Sequence, residues 1–209
     1  MSCGRSKSLG LSTVIAALLL LAQAQIGSAA PIFSTLAGPQ GVASFGVAVS
    51  YTAATDELKA ESSGMHLITL DGVTQDLVTN PGFDLTASIN ASGILAGGAL
   101  TISGTVASLG YASGTILTGD VVAVGFPDGG GDPLQFLVNV TGGDAYNMGD
   151  YPSEAGIILT FAAFPGDFSS DWANNPDLGN GLTSTIPEPT TAVLLGLGLA
   201  VLARRARSI

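Results

Sequence analysis

The chain has 209 residues, 46% of them hydrophobic and only 11% charged, and a formal net charge of −10. Five of its six basic residues, Arg5, Lys7, Arg204, Arg205 and Arg207, lie at the two ends, which leaves Lys59 alone in the middle with every acidic residue except Glu188. Such a middle repels phosphate backbones and excludes nucleic acid as a partner. The single cysteine, Cys3, excludes a disulfide framework and a thiolate zinc site.

Residues 1–30 read as a secretory signal peptide. Arg5 and Lys7 form the positive flank, Leu9 to Ala22 is a short run dominated by Leu and Ala, and small residues follow to Ala30. Small side chains fit a peptidase cleft after Ala24 or after Ala29, whereas Pro31 obstructs cleavage after Ala30. The implied partners are the Sec translocase and signal peptidase. Cys3 precedes the apolar run and leaves with this segment, so the exported portion depends on burial and backbone pairing for stability.

About 155 residues then remain before the C-terminal motif, enough for one domain with a substantial core. Residues 31–173 are rich in Gly, Thr, Ser, Ala and Val and are interrupted at short intervals by turn residues, the pattern of an all-β domain. A first strand is expected over Val42–Tyr51. A weak helix signal follows at Thr52–Glu61, then a strand at Met65–Leu70 before Asp71-Gly72. From Phe83, the residues Phe83, Leu85, Ala87 and Ile89 alternate with Asp84, Thr86, Ser88 and Asn90, the period-two pattern of a half-buried strand. A turn at Asn90-Ala91-Ser92-Gly93 and a strand at Ala99–Val106 predict a hairpin or meander, bulged at Gly97-Gly98.

Thr115–Leu117 and Val121–Phe126 flank Gly119-Asp120, and Leu134–Val140 and Gly156–Phe164 follow as nearly continuous apolar runs suited to strands buried on both faces. A turn is expected around Asp167–Asn175. Together these predict a two-sheet sandwich or jelly-roll-like fold. Residues 174–186, rich in Gly, Asn, Ser and Thr, read as a polar linker.

Residues 187–209 form a three-part tail. Pro187 and Pro189 fix their own φ angles and hold Glu188 between them in extended geometry. Residues 190–203 read as a short transmembrane helix, its apolar run extending from Ala192 to Ala203, and Arg204, Arg205 and Arg207 keep its C-terminus in the cytoplasm. About fourteen residues cover about 21 Å against a hydrocarbon core of about 30 Å, a marginal span suited to a segment that is used once and removed.

The order Pro187-Glu188-Pro189, apolar helix, arginine end resembles the PEP-CTERM sorting signal of Gram-negative bacteria that make extracellular polysaccharide. The resemblance implies that Pro187, Glu188 and Pro189 are recognised by an exosortase, a membrane-embedded cysteine peptidase. It also implies a membrane-inserted precursor that passes to the cell surface or extracellular matrix. Ile186 stands where Val is commoner. Stretches of the middle such as Leu85–Ile89, Gly98–Gly104 and Asp167–Asp171 are similar to exported domains that carry this tail, which implies no activity.

The middle offers little catalytic chemistry. His66 stands alone in a strand-like segment and Lys59 lacks a phosphate-cradling glycine loop, so no enzyme is expected. No cofactor is expected either, with one exception: Asp128 and Asp132 flank three glycines, and Asp144, Asn147, Asp150 and Glu154 follow, oxygen ligands that suit calcium. The plainer reading is acidic solvated loops, and the spacing matches neither an EF-hand nor an RTX repeat. The expected function is a structural or interaction role in an exopolysaccharide or biofilm layer. The alternatives are a glycan- or ice-binding module, with Trp172, Tyr111, Tyr146 and Tyr151 as candidates for stacking on sugar rings, and a carboxylate-based glycosidase.

Overall fold

The computed structural model describes residues 40–127, 129–131, 133–161, 164–174 and 179–185. The fold is all-β, and the described residues form a single antiparallel sheet of twelve strands in the order β11-β2-β3-β6-β7-β8-β9-β10-β12-β1-β4-β5. In chain order the strands are β1 Gly41–Phe45, β2 Ala48–Thr52, β3 Glu57–Ser62, β4 His66–Thr69, β5 Gln75–Leu77, β6 Thr79–Ile89, β7 Leu95–Val106, β8 Tyr111–Gly125, β9 Leu134–Gly142, β10 Glu154–Thr160, β11 Trp172–Ala173 and β12 Asn180–Thr185. Helix among the described residues is confined to a 3-10 turn at Ala107–Leu109 and one four-residue helix, α1, at Asp144–Asn147.

The sheet curls on itself, as its connections require. β1 and β2 are separated only by Gly46 and Val47, yet they stand near opposite ends of the strand order. Likewise β5 and β6 are joined through Val78 alone, yet β5 is last in the order and β6 fourth. Asn174 and Gly179 close the seam along β2. The Asn174 amide donates to the Val47 carbonyl at 2.9 Å, its side-chain carbonyl accepts from the Val49 amide at 2.7 Å, and Val47 N–H donates to the Gly179 carbonyl at 2.8 Å. A Cβ at Gly179 would collide with the Val47 carbonyl, so only glycine permits this approach.

Alternation fills the interior. Val49 and Tyr51 of β2, Leu58 and Ala60 of β3, Phe83, Leu85, Ala87 and Ile89 of β6, Leu100 and Ile102 of β7, and Phe136 and Val138 of β9 are all buried. One end of this core is aromatic: Tyr51, Phe126, Phe161, Phe164, Phe168 and Trp172 pack with ring centroids 5.1–6.2 Å apart.

Several expectations change. The helix signal at Thr52–Glu61 is a turn followed by β3, because Leu58 and Ala60 point inward while Glu57, Lys59 and Glu61 point out, a period of two that pairing with β2 and β6 rewards. The single strand expected over Val42–Tyr51 is broken at Gly46, whose φ of 69° lets the chain cross from one end of the sheet to the other. Conversely, β8 runs unbroken through Gly119-Asp120, where a Cβ on Gly119 would strike the Val138 side chain and the Asn139 carbonyl. The bulge at Gly97 is present: Ser88 pairs with Gly97 and Ile89 with Leu95, so Ala96 is unmatched. The polar linker is corrected as well. Residues 180–185 of that stretch are β12, a central strand.

Candidate functional site: the last strand and the sorting motif

β12 lies between β10 and β1. Asn180 to Thr185 pair with Thr160 to Ala155 on one side, and Asn180 to Ser184 pair with Phe45 to Gly41 on the other. Its composition is polar, but its backbone is fully engaged in ladders, which suffices to place Thr and Ser at the centre of a sheet. Gly181 and Thr183 face the interior and Leu182 faces out, 39% exposed. Ser184 Oγ donates to the Gln40 carbonyl at 3.0 Å, tying the start of the described chain to its end.

The interior surface beside β12 is unusually polar. Ser44 pairs with both Gly181 and His66, and Val42 pairs with both Thr183 and Ile68. Ser44 Oγ, His66 Nε2 and Thr183 Oγ1 are buried without hydrogen-bond partners among the described residues. His66 is fully enclosed with Nδ1 3.1 Å from the Gly64 carbonyl, and burial pushes its pKa below the usual imidazole value.

The register also places the end of β12 among its neighbours. Thr69, Gly41, Ser184, Gly156 and Leu137 lie abreast, so residues 70–74 (β4 to β5) and 143–153 (β9 to β10) extend past the sheet at the end where β12 finishes. The first connection is shaped by Asp71, whose carboxylate accepts from Val73 N–H, Thr74 N–H and the Thr74 hydroxyl at 2.6–2.8 Å and is held at a pKa of about 2 by those bonds. In the second, Asp144 accepts from Ser113 N–H at 2.9 Å and Asp150 from the Tyr111 hydroxyl at 2.9 Å. Ser153 returns a carbonyl to Val140 N–H at 2.8 Å.

The chain immediately beyond this strand is what the family comparison identifies. The family model described as the PEP-CTERM protein-sorting motif matches residues 185–208. The chain ends in a PEP-CTERM motif. The motif implies an exported, membrane-passing protein with an exosortase as processing partner. Its first matched residue, Thr185, is the last residue of β12, so domain and PEP-CTERM motif share a boundary rather than a spacer. Pro187, Glu188, Pro189, Arg204, Arg205 and Arg207 lie outside the described residues, as do residues 1–30. No curated protein and no solved structure matches the chain. Among the described residues no helix is long and apolar enough to cross a membrane.

The other sequence candidates are placed as follows. Asp128 and Asp132 lie outside the described residues, and the glycines between them hold φ of 84–91°, with Gly131 N–H donating to the Phe164 carbonyl at 2.9 Å. Among the described residues no three acidic or histidine side chains gather as a metal site. The aromatic candidates for sugar stacking are mostly core residues. Tyr111 and Tyr151 are buried, with burial raising both phenol pKa values. Trp172 stacks with Tyr51 and with Phe161, centroids 5.9 and 5.7 Å away and planes within 24° and 15° of parallel, and is partly buried in the aromatic cluster. Tyr146 is half-buried against the core.

Sequence reasoning missed β12. Its faint signal was the alternation of β-branched Thr183 and Thr185, masked by Asn180, Gly181 and Ser184.

Proposed function

We propose that the protein is a non-enzymatic component of the surface or extracellular matrix of a Gram-negative cell, its β domain a structural or interaction element of an exopolysaccharide layer. The observation that carries this reading is the direct junction of the domain's central strand to an exosortase sorting motif. The use of the carboxylates supports it. Asp71, Asp144, Asp150, Asp167 and Asp171 accept hydrogen bonds from amides or hydroxyls of turns and neighbouring strands, the work of loop building. The acidic, lysine-poor exterior keeps such a domain soluble after export.

The test is deletion of Pro187 to Pro189 in the source organism, with fractionation of cells, matrix and medium. The deletion leaves a full-length, membrane-associated form and removes the protein from the matrix. Unchanged size and location would refute the processing claim, and correct processing with no trace in the matrix would refute the destination. A glycan-binding role is the second reading, now favoured by a different observation. Glu61, Ser62, Asp84, Thr101 and Ser103 line an open groove of about 590 Å³ across β3, β6 and β7, whose carboxylates and hydroxyls suit sugar hydroxyls without aromatic stacking. Loss of signal on a glycan array with Asp84→Ala would support it.

A further inference from the structure

The proximity of β12 to the sorting motif constrains the form of the substrate that is cut. An extended chain is recognised through its main-chain hydrogen bonds, so the residues entering a cleft must have free backbone groups. In the folded domain the backbone of Asn180 to Thr185 is already paired with β10 and, through Ser184, with β1. Ile186 alone separates this strand from Pro187. At the maximum rise of the chain, Glu188 lies no more than about 11 Å beyond the sheet. Two connections, residues 70–74 and 143–153, run past the end of β12 on either side and narrow the approach.

Little apolar side chain holds β12 in place. It contributes Gly181 and Thr183 to the interior, and Thr183 Oγ1 has no hydrogen-bond partner among the described residues. The strand is therefore retained mainly by its two backbone ladders, which makes it a natural unit of local opening. We propose that the exosortase acts on a form of the protein in which β12 is out of the sheet. Docking of β12 between β10 and β1 then shields the segment next to the motif, so the folded state of the domain controls its own processing. This rests on the exosortase reading of the tail.

A reversible lock tests it. Ala43 and Leu182 are directly opposed across β1 and β12. Opposed antiparallel residues have Cα atoms about 4.5–5.5 Å apart, within the range a disulfide spans. The precursor carrying Ala43→Cys and Leu182→Cys in a Cys3→Ser background is accumulated in cells lacking exosortase, solubilised, oxidised, and supplied with exosortase-containing membranes. Cleavage is followed by mass. The locked precursor is cut at least about tenfold more slowly than the same sample after reduction, because proteolysis follows the open population. A precursor that forms no lock while the processed protein does would also support the proposal, since β12 is then out before cleavage.

Two controls separate strand release from misfolding. A lock at Thr86→Cys and Ala99→Cys, opposed across β6 and β7, leaves the rate unchanged. A Gly/Ser spacer of about ten residues inserted after Thr185 restores cleavage of the locked precursor by moving the motif away from the sheet. Equal rates for the locked and reduced forms would overturn the proposal, as would an equal slowing by the β6–β7 lock or a spacer without effect. Failure of the wild-type precursor to be cut at all would refute the exosortase reading instead.

Discussion

Replacing Asn174 with alanine removes both side-chain bonds that clamp the seam of the curled sheet. The Val49 amide loses its 2.7 Å acceptor and the Val47 carbonyl its 2.9 Å donor. A lost net hydrogen bond costs about 0.5–1.5 kcal/mol and a buried group left unpaired about 1–3 kcal/mol, so with water reaching part of the site the expected loss is about 2–4 kcal/mol. Against a typical domain stability of about 5–15 kcal/mol this is a large fraction. With a urea m-value of about 2 kcal/mol/M, the unfolding midpoint falls by about 1–2 M. The chain has one tryptophan, and Trp172 lies two residues from the substituted position inside the aromatic cluster, so its emission reports the transition directly. Thr55→Ala is the control, since the Thr55 hydroxyl makes only an exposed 3.4 Å contact to the Thr52 carbonyl and its removal shifts stability by a few tenths of a kcal/mol at most. An Asn174→Ala midpoint indistinguishable from that of the control would refute the clamp and the curled closure it holds.

Three further outcomes are expected. His66 is buried with its pKa lowered, so it binds a proton more readily in the unfolded chain; stability is complete above about pH 6.5 and is lost as pH falls from there through the folded value. Thermal midpoints measured between pH 7.5 and 5 show this fall, and His66→Leu flattens it; the same fall in the leucine variant would assign it elsewhere. Iodide quenches Trp172 weakly in the folded protein, and added oligosaccharide leaves its emission unchanged; a glycan-induced shift would restore Trp172 as a sugar platform. Glu61 and Asp84 face each other across β3 and β6 on the outer surface, so Asp84→Asn raises stability by about 0.2–1 kcal/mol in urea titration, and a loss would mean that the pair is held by a cation.

What the sequence disclosed depended on how local the deciding interaction was. The strand from Phe83 to Ile89 was legible because alternate residues report directly which side is buried, and the bulge beside it because two adjacent glycines interrupt a strand pattern. The sorting motif was legible for a similar reason, three components in fixed order within two dozen residues. β3 was not, because Ala53, Ala54, Leu58, Lys59 and Ala60 carry helix propensity that pairing with β2 and β6 overrides. β12 was not, because a strand held by two backbone ladders needs no apolar side chains to announce it. Nor was the packing of Trp172: its partners Tyr51 and Phe161 belong to distant strands and segments, so sequence alone left it looking like an exposed aromatic in a polar turn.

The bond from the Ser184 hydroxyl to the Gln40 carbonyl joins residues 144 positions apart, and the β1–β12 ladder beside it is equally non-local. Contacts of this separation place the domain at the slow end of folding, about milliseconds to seconds, since loop closure must come before any gain from pairing. Until β12 docks, β1 has one edge paired to β4 and the other open. That open edge is a segment exposed to pairing with another chain, so agents that hold unpaired strands apart should matter most before residues 180–185 have docked.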